Sequence, residues 1–422
     1  MFPAMIRRAL TLPAAIALAG LALGAGAPAA QAARVAAARP ALQPIAGEWW
    51  FSAWDIQTRV WPLSTGAGVT IGLLDAGVQA SLPDLRGVVI PGADTGGGHG
   101  RGMVDNYGAT DGHGTDLAAL IAGRGTGGPT GIAPAAKILS VDVGGPVGGL
   151  EGTDATDAAG IRYAVSRGVK VINMSFGSVT ASPSGCDPEL QDAVAYALAH
   201  NVVMVASAGN DDQQGNPAEE PASCAGVLAV GAVNPNLTLW PDSEQQSYVA
   251  VSAPGNEVGF LGADGRYFPD GSGTSDAAAL VSGAVALVRS RYPSMPWYQV
   301  VQRIINTALP KGGTVPNDSF GYGIMRIPGA LNAARYKVPA DDPNPVYEAY
   351  QQWLATPAGQ QFAHPTSGRA GPRASRSSPA AAPAPAGGSS GVPAVLIAVL
   401  AVVVVAGVAV SVIATRRRRG RA

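Results

Sequence analysis

Short apolar runs recur along the middle of the 422-residue chain, and stretches with helical spacing lie between several of them. The runs are VTIGLLDA, AKILSVDV, VKVINMSF, NVVMVASA, GVLAVGAV and YVAVSAP. Runs that are apolar at almost every position are typical of strands buried on both faces of a sheet, and their alternation with helices indicates βαβ units. The sequence therefore predicts one α/β domain over residues 67–340, with a mainly parallel central sheet covered by helices on both faces.

The N-terminal segment has the pattern of a secretory signal peptide. Arg7 and Arg8 precede an apolar stretch of small residues, and APAAQA offers a cleavage site at the end of residues 1–32. Residues 33–66 then form an extension that carries four tryptophans. Because this extension is short, we expect it to pack on the α/β domain.

The C-terminal part of the chain changes composition twice. Residues 341–391 are a predicted linker whose Pro/Ala/Gly/Ser-rich end cannot bury a core. Residues 392–414 contain no charged residue and are long enough to cross a bilayer as one transmembrane helix. The basic tail, 415–422, follows at once, so the positive-inside rule predicts a single-pass membrane protein with a cytoplasmic C-terminus and an extracytoplasmic α/β domain.

Charge and cysteine content add two expectations. The formal net charge is −1, but basic residues are concentrated in the predicted signal and tail, so the part between them is acidic, which argues against nucleic acid as a partner. The two cysteines, Cys186 and Cys224, lie in predicted loops. An exported chain would oxidise them to a disulfide; two free buried thiols are the alternative.

Three residues carry candidate chemistry. Ser275 stands at the start of a predicted helix, where free backbone N–H groups lie beside its hydroxyl. A serine there is more commonly a helix cap, and it becomes a nucleophile only with a base to remove its proton. His113, flanked by glycines, is the candidate base, and Asp75, at the end of an apolar run, is the carboxylate that would orient it.

Six short motifs resemble those of a known family. LLDAGV, DGHGT, VINMSFG, SAGN, VSAPG and SGTS occur in the order, and at roughly the spacing, of the subtilisin-like serine proteases. The resemblance implies the subtilisin-like three-layer fold and protein or peptide substrates. It also implies that Asp75, His113 and Ser275 form a catalytic triad that works through an acyl-enzyme.

The same resemblance assigns further residues. Asn210, in SAGN, corresponds to the asparagine that completes the oxyanion hole with the backbone N–H of the nucleophile. Ser175 and Gly177, in NMSFG, resemble the segment that pairs with the substrate backbone and walls the specificity pocket. We expect no cofactor and no metal, because the acidic residues are scattered and no His/Cys cluster is present in the sequence.

The order of signal, short extension, protease domain, linker and single C-terminal span most closely resembles the mycosins, which are associated with type VII secretion. The tryptophan-containing lead-in to STGAGVTIGLLDAGV, the GTS-x-AA-x-VSG pattern and the cysteine pair look like that group. The resemblance implies a membrane-anchored endopeptidase that processes exported proteins, with the type VII secretion membrane complex as partner.

Three residues depart from the family's pattern. Ala76 replaces the Ser or Thr that usually follows the catalytic Asp, and Asp116 adds an acid three residues after His113. Asp276 follows the nucleophile, where the family has an apolar or aromatic residue or methionine. An ionised Asp276 would repel the oxyanion, whereas a neutral one would leave activity with an acid-shifted profile. We therefore expect attenuated proteolysis; the alternative function is a catalytically weak or inactive structural component of a secretion complex.

Overall fold

A computed structural model describes residues 42–45, 47–97, 100–108, 111–144, 153–182 and 185–363. The chain divides into two units, residues 1–364 and 365–422, and every described residue belongs to the first unit. The predicted signal peptide, transmembrane helix and basic tail lie outside the described residues, and so do His99 and His364.

The strands of the described part are β1 (Thr70–Asp75), β2 (Val89–Asp94), β3 (Lys137–Asp142), β4 (Val171–Met174), β5 (Ser178–Val179), β6 (Val203–Ser207), β7 (Glu219–Glu220), β8 (Val227–Val233), β9 (Val249–Pro254), β10 (Phe260–Leu261) and β11 (Tyr267–Phe268). The helices are α1 (Trp49–Ala53), α2 (His113–Ala122), α3 (Asp154–Ser166), α4 (Pro188–Ala199), α5 (Thr274–Arg291), α6 (Trp297–Asn306), α7 (Ile327–Leu331), α8 (Pro345–Leu354) and α9 (Pro357–Ala363). A π-helical turn covers Ile56–Val60 and a 3-10 turn covers Asp212–Gln214.

Seven strands form one sheet in the order β2-β3-β1-β4-β6-β8-β9, and all of its pairings are parallel. This confirms the predicted α/β fold with a mainly parallel sheet. The chain order reverses at β1, because β2 and β3 lie on one side of it and β4 lies on the other. Open α/β sheets bind ligands at the carboxyl ends of the strands beside such a reversal, so a site is expected where β1 ends at Asp75.

Helices cover both faces of this sheet. Successive side chains along a strand point to opposite faces. On β1, Leu74 lies against Gly160 of α3, whereas the adjacent Asp75 reaches the first residue of α2. The helices α2 and α5 pack on each other, and so do α3 and α4. The sheet therefore lies between two helical layers.

The extension before β1 packs into the same hydrophobic core. Trp50 is fully buried and Trp54 is nearly so. The indole N–H of Trp54 donates to the carbonyl of Met325 at 2.8 Å, and that of Trp61 donates to the carbonyl of Ile132 at 2.9 Å. The indoles of Trp54 and Trp61 thus satisfy their donors while they add apolar surface to the core, whereas Nε1 of Trp50 makes no hydrogen bond to any residue that the structure describes.

The first part of the predicted linker is helical. Helix α8 buries Val346 and Tyr350, and the Tyr350 ring meets the Trp297 ring of α6 edge-on at 5.7 Å between centroids. Among the described residues, no helix combines the length and the apolar character that a membrane span requires.

Cys186 and Cys224 form a disulfide, with their Cα atoms 4.9 Å apart. This confirms the first of the two alternatives for these thiols. The bridge joins the loop before α4 to the segment after β7, and β7 pairs with β5 in a two-stranded ribbon. The covalent link therefore braces the base of this ribbon.

Replacing both cysteines with serine should lower the free energy of unfolding by about 4 kcal/mol, because the bridge restricts a long loop of the unfolded chain. Urea unfolding followed by tryptophan fluorescence measures the difference. The reduced wild-type protein serves as the control, and its urea midpoint should equal that of the double variant. A wild-type midpoint that does not depend on reduction would contradict the prediction.

Candidate active site

The carboxyl ends of β1, β4 and β6 and the N-termini of α2 and α5 border one cleft of about 890 Å³. All six residues that the sequence analysis assigned to catalysis or substrate binding line it. They are Asp75, His113, Ser175, Gly177, Asn210 and Ser275. The fold thus brings together residues that are up to 200 positions apart in the chain.

His113 and Asp75 are in direct contact. His113 Nδ1 lies 2.9 Å from Asp75 Oδ2, and Asp75 is 4% exposed. The other carboxylate oxygen, Oδ1, accepts a hydrogen bond from the backbone N–H of Ala76 at 2.8 Å. An ionised Asp75 fixes the proton on Nδ1, which leaves Nε2 of a neutral imidazole free to act as a base.

The surrounding acids raise the proton affinity of this imidazole. Burial works to lower the pKa of His113, but the charge and hydrogen bond of Asp75, together with the charges of Asp116 and Asp105, outweigh it and raise the pKa to about 9. The imidazole side chain keeps 25% of its surface exposed, so solvent screens part of this effect. The result is a strong base that is protonated over much of the neutral pH range.

Ser275 is the second residue of α5, so its backbone N–H is one of the free donors of a helix N-terminus. Its Oγ donates to the carbonyl of Ser175 at 3.1 Å, and the Ser175 hydroxyl donates back to the carbonyl of Ser275 at 2.9 Å. Within the described ranges no hydrogen bond joins Ser275 to His113. The Ser275 hydroxyl must therefore leave the Ser175 carbonyl before His113 can take its proton.

Asn210 is held by the residue that precedes Ser275. Its Oδ1 accepts hydrogen bonds from the backbone N–H and the hydroxyl of Thr274, at 2.9 and 2.8 Å. Because an N–H can only donate, the amide oxygen must face Thr274. The Nδ2 donor makes no hydrogen bond within the described part of the chain, so it is available to a ligand in the cleft.

Asp116 and Asp276 form a carboxyl pair at the α2–α5 contact. Both are buried, and their carboxyl groups hydrogen-bond to each other. Asp116 Oδ1 also accepts from the backbone N–H of Leu261 at 2.8 Å. Burial raises the pKa of Asp276 to about 7, and burial and the charge of Asp276 raise the pKa of Asp116 well above its usual range. The pair therefore holds at least one proton at neutral pH.

Sequence reasoning missed two residues beside the imidazole. The Tyr107 ring stacks on the His113 ring at 5.2 Å between centroids. The buried Asp105 Oδ2 accepts from the backbone N–H and the hydroxyl of Thr115, and burial and the charge of Asp75 raise its pKa to about 6. The nearness of VDNY to the histidine motif was the only available signal. That segment is connected to α2 through residues that carry no recognisable pattern.

A third group of acids, Asp211, Glu219 and Glu244, was not predicted either. Each offers a carboxylate oxygen, and these oxygens lie within 4.8 Å of one another. Gly177, which the sequence assigned to the wall of the pocket, lies directly against Glu219. The other cluster with the right residue types, at Cys186, Glu220 and Cys224, cannot bind a metal through its cysteines because these form the disulfide. The expectation that no cofactor or metal is used stays a prediction.

A family profile described as the Subtilase family, Peptidase S8, matches residues 66–323. Mycosin-1 of Mycobacterium tuberculosis is 33% identical over 317 residues, which cover 64% of this chain and 69% of mycosin-1. Subtilisin DY of Bacillus licheniformis is 36% identical over 261 residues, which cover 61% of this chain and 88% of subtilisin DY. Fervidolysin of Fervidobacterium pennivorans is 31% identical over 313 residues, and the matched part spans 43% of its length.

Solved structures give the same grouping. A crystal structure of MycP1 with the N-terminal propeptide removed matches with a TM-score of 0.59 and 30% identity, over 72% of this chain and 98% of that one. The MycP3 protease from the type VII (ESX-3) secretion system matches with a TM-score of 0.57 and 28% identity, over 68% of this chain and 88% of that one. With these matches and the cleft geometry, the chain belongs to the subtilase family of subtilisin-like serine proteases and is related to the mycosins.

Proposed function

We propose that this chain is a membrane-anchored, extracytoplasmic serine endopeptidase of the mycosin kind that processes exported proteins in association with a type VII secretion complex. The observation that carries the proposal is the contact of His113 Nδ1 with Asp75 Oδ2, at 2.9 Å, on the cleft that Ser275 also lines. A nucleophile, a base and an orienting carboxylate in one cleft are the parts that acyl transfer from a peptide bond requires.

In the proposed mechanism Ser275 Oγ attacks the carbonyl carbon of the scissile peptide bond, and His113 Nε2 takes the hydroxyl proton. The same imidazolium then protonates the leaving amine, which breaks the C–N bond and leaves an ester on Ser275. Asp75 stays ionised and stabilises the imidazolium. Water repeats the sequence on the ester, with His113 again as base, and releases the acid product.

The proposed oxyanion donors are Asn210 Nδ2 and the backbone N–H of Ser275. Support for Asn210 comes from the hydrogen bonds of its oxygen to Thr274, which leave the amide donors free. A donor of this kind stabilises the transition state by about 3 to 4 kcal/mol. Ser175 and Gly177, after β4, are the proposed contacts for the substrate chain.

Replacing Ser275 with alanine should abolish covalent labelling by a fluorophosphonate probe, because the probe reacts only with an activated serine hydroxyl. Labelling is read by gel fluorescence on the purified ectodomain-containing protein. Ser272→Ala, which also removes a hydroxyl from the cleft, serves as the control and should label as the wild type does. Labelling of Ser275→Ala at the wild-type rate would refute the assignment of the nucleophile.

The membrane part of the proposal rests on composition. We assign residues 1–32 to a signal peptide, 33–66 to the extension, 67–340 to the peptidase domain, 341–391 to the linker, 392–414 to a transmembrane helix and 415–422 to a cytoplasmic tail. The absence of charge over 392–414 and the arginines that follow are the supporting features.

Deleting residues 392–422 should therefore release the protein from the membrane fraction into the medium, with peptidase activity per molecule unchanged. Cell fractionation with immunoblotting measures this. Deleting 415–422 alone is the control, since it keeps the apolar segment and should keep the protein in the membrane fraction. If the protein that lacks residues 392–422 stayed in the membrane fraction, the proposed transmembrane anchor would be wrong.

The proposed activity is attenuated because two groups in the cleft have opposing requirements. His113 must be neutral to act as a base, so the rate rises with pH through its pKa of about 9. Asp276 must be neutral to leave the oxyanion undisturbed, so the rate falls with pH through its pKa of about 7. Asp276 loses its proton at a lower pH than His113 does. At any pH, therefore, only a small fraction of molecules has both a neutral Asp276 and a neutral His113.

Asp276→Phe should raise kcat/KM, most of all on the alkaline side, because it removes the falling limb and leaves the rising limb of His113. We expect a gain of about tenfold or more near pH 9, since a like charge beside the oxyanion is worth this much in a partly buried site. Initial rates on a fluorogenic peptide across the pH range measure it. Asp276→Asn, which keeps the shape, should share the gain; rates equal to the wild type in both variants would rule out attenuation by Asp276.

The second candidate function is a protease fold retained as a structural component of a secretion complex. It is favoured by the Ser275 hydroxyl, which is bonded to the Ser175 carbonyl, and by the buried Asp276 next to it. To separate the two functions, Ser275→Ala is expressed in cells that lack the chain, and type VII secretion and substrate processing are both measured. If the role is structural, the variant restores secretion. If the role is catalytic, the variant fails to restore substrate processing.

A further inference from the structure

Three carboxylates converge at one side of the cleft, two of them on its wall and the third buried behind them. Asp211 follows Asn210, Glu219 begins β7, and Glu244 lies between β8 and β9, so three separate segments supply them. One carboxylate oxygen from each lies within 4.8 Å of the other two. Asp211 and Glu219 line the cleft that contains Ser275. Like charges at this spacing repel, so the arrangement is stable only if protons or a cation neutralise it.

Glu244 shows independently that one oxygen of the cluster is left without a donor among the described residues. It has no exposed surface, and its Oε1 makes no hydrogen bond. The other contacts of its carboxylate are 3.4 Å from Oε2 to the Tyr248 hydroxyl and a hydrogen bond from the Asp211 backbone. None of the ion pairs in the described ranges includes Asp211, Glu219 or Glu244. A buried acceptor without a donor destabilises the fold, and a cationic ligand would satisfy it.

The carboxyl groups of Glu219 and Glu244 lie directly behind the proposed substrate-binding backbone. A methyl group built on Gly177 would lie 2.3 Å from Glu219 Oε2, and one built on Gly209 would lie 2.4 Å from Glu244 Oε2. Gly177 follows β4 and Gly209 precedes the proposed oxyanion donor, Asn210. The acids therefore flank the position where a substrate side chain would enter next to the scissile carbonyl.

We propose that Asp211, Glu219 and Glu244 form a specificity pocket that binds a cationic side chain, lysine or arginine, on the carbonyl side of the scissile bond. The proposal rests on the proposed peptidase function and names its substrate class. A guanidinium has five donors and an ammonium three, so either can satisfy several carboxylate oxygens at once. An apolar side chain in the same place would leave those oxygens unpaired.

A resident divalent metal fits these acids less well than a substrate cation. Calcium takes six to eight oxygen ligands and magnesium an octahedron of six. The cluster offers three carboxylate oxygens at one spot, one of them on the exposed Asp211 that borders the open cleft. A long side chain that enters from the cleft needs no more ligands than these.

The raised pKa values of Glu219 and Glu244 are consistent with a positively charged ligand. Burial, together with the charges of Glu219 and Asp211, raises the pKa of Glu244 to about 8, against hydrogen bonds from Tyr248 and the Asp211 backbone. Burial and the charge of Asp211 raise the pKa of Glu219 to about 7. A bound cation favours the ionised forms, so binding should release protons and strengthen as the pH rises through this range.

The first test measures binding without catalysis, on the Ser275→Ala protein, with the fluorescent cation p-aminobenzamidine. We expect saturable binding that weakens about tenfold or more in Glu219→Gln and in Asp211→Asn, because each removes a charged partner. Asp211 is exposed, so its variant does not disturb the core. Glu189→Gln, an exposed acid on α4 outside the cleft, is the matched control and should bind as the parent does.

If the Ser275→Ala protein did not bind p-aminobenzamidine, the proposed pocket would be wrong. It would also be wrong if Glu219→Gln and Asp211→Asn, made in that protein, bound the cation as tightly as the parent does. Both conclusions hold whether or not the chain is an active peptidase. Calorimetry with calcium or magnesium chloride alone is the second arm. Tight uptake of either ion that these variants lose would show a metal site instead and would equally overturn the proposal.

The second test uses the active protein and peptides that differ at one residue. Arginine is compared with citrulline, and lysine with norleucine, on the carbonyl side of the scissile bond. We expect kcat/KM to favour the charged member of each pair about tenfold or more, and we expect Glu219→Gln to lose this preference. Equal rates on both members would reject the pocket and leave the peptidase function standing. If the protein cleaved no peptide but still bound p-aminobenzamidine, the peptidase function would be rejected and the cation-binding pocket would stand.

Discussion

The active cleft depends on one contact, between the last residue of β1 and the first residue of α2. His113 and Asp75 can meet only because a buried parallel strand ends where a helix begins, at the strand beside which the chain order reverses. The approach is close enough that Gly114 has no room for a side chain: a methyl group there would lie 2.1 Å from the carbonyl of Gly77. The rest of the sheet and α5 bring Ser275 and Asn210 to the same place.

Several acidic side chains lie around this contact, and few cationic side chains pair with them. Of the ion pairs in the described residues, the one between His113 and Asp75 is in the cleft, and the other two are on exposed arginines. Asp105, the Asp116–Asp276 pair and the Glu219–Glu244 group are all held with raised pKa values by burial. In the proposed mechanism, the acids around His113 govern when its imidazole is neutral, and the acids beside Gly177 are the proposed selectors of the substrate's charge. Both effects follow from the same physical cause, which is the cost of an ionised carboxylate with little water around it.

The parts of this arrangement that follow from sequence are those with a local pattern. The apolar runs gave the parallel sheet, and the motifs around Asp75, His113 and Ser275 indicated residues that share one cleft, because each motif fixes its own strand end or helix start. Asp116 and Asp276 were each conspicuous as acids, but their pairing depends on how α2 packs on α5, which no local pattern encodes. Asp211, Glu219 and Glu244 lie on loops and a two-residue strand, where composition indicates nothing about which side chains converge. The start of the predicted linker, VYEAYQQWLATPAGQQF, precedes the Pro/Ala-rich stretch, and its sequence is compatible with the helices α8 and α9 that lie there.

The state of the His113 imidazole is the quantity from which the catalytic account follows. Proton NMR of the imidazole N–H resonances as a function of pH reports it directly. We expect a titration midpoint near the raised pKa of about 9 and an Nδ1–H resonance that persists because Asp75 holds that proton. A midpoint at or below the ordinary histidine value of about 6.5, with no protected Nδ1–H, would contradict it.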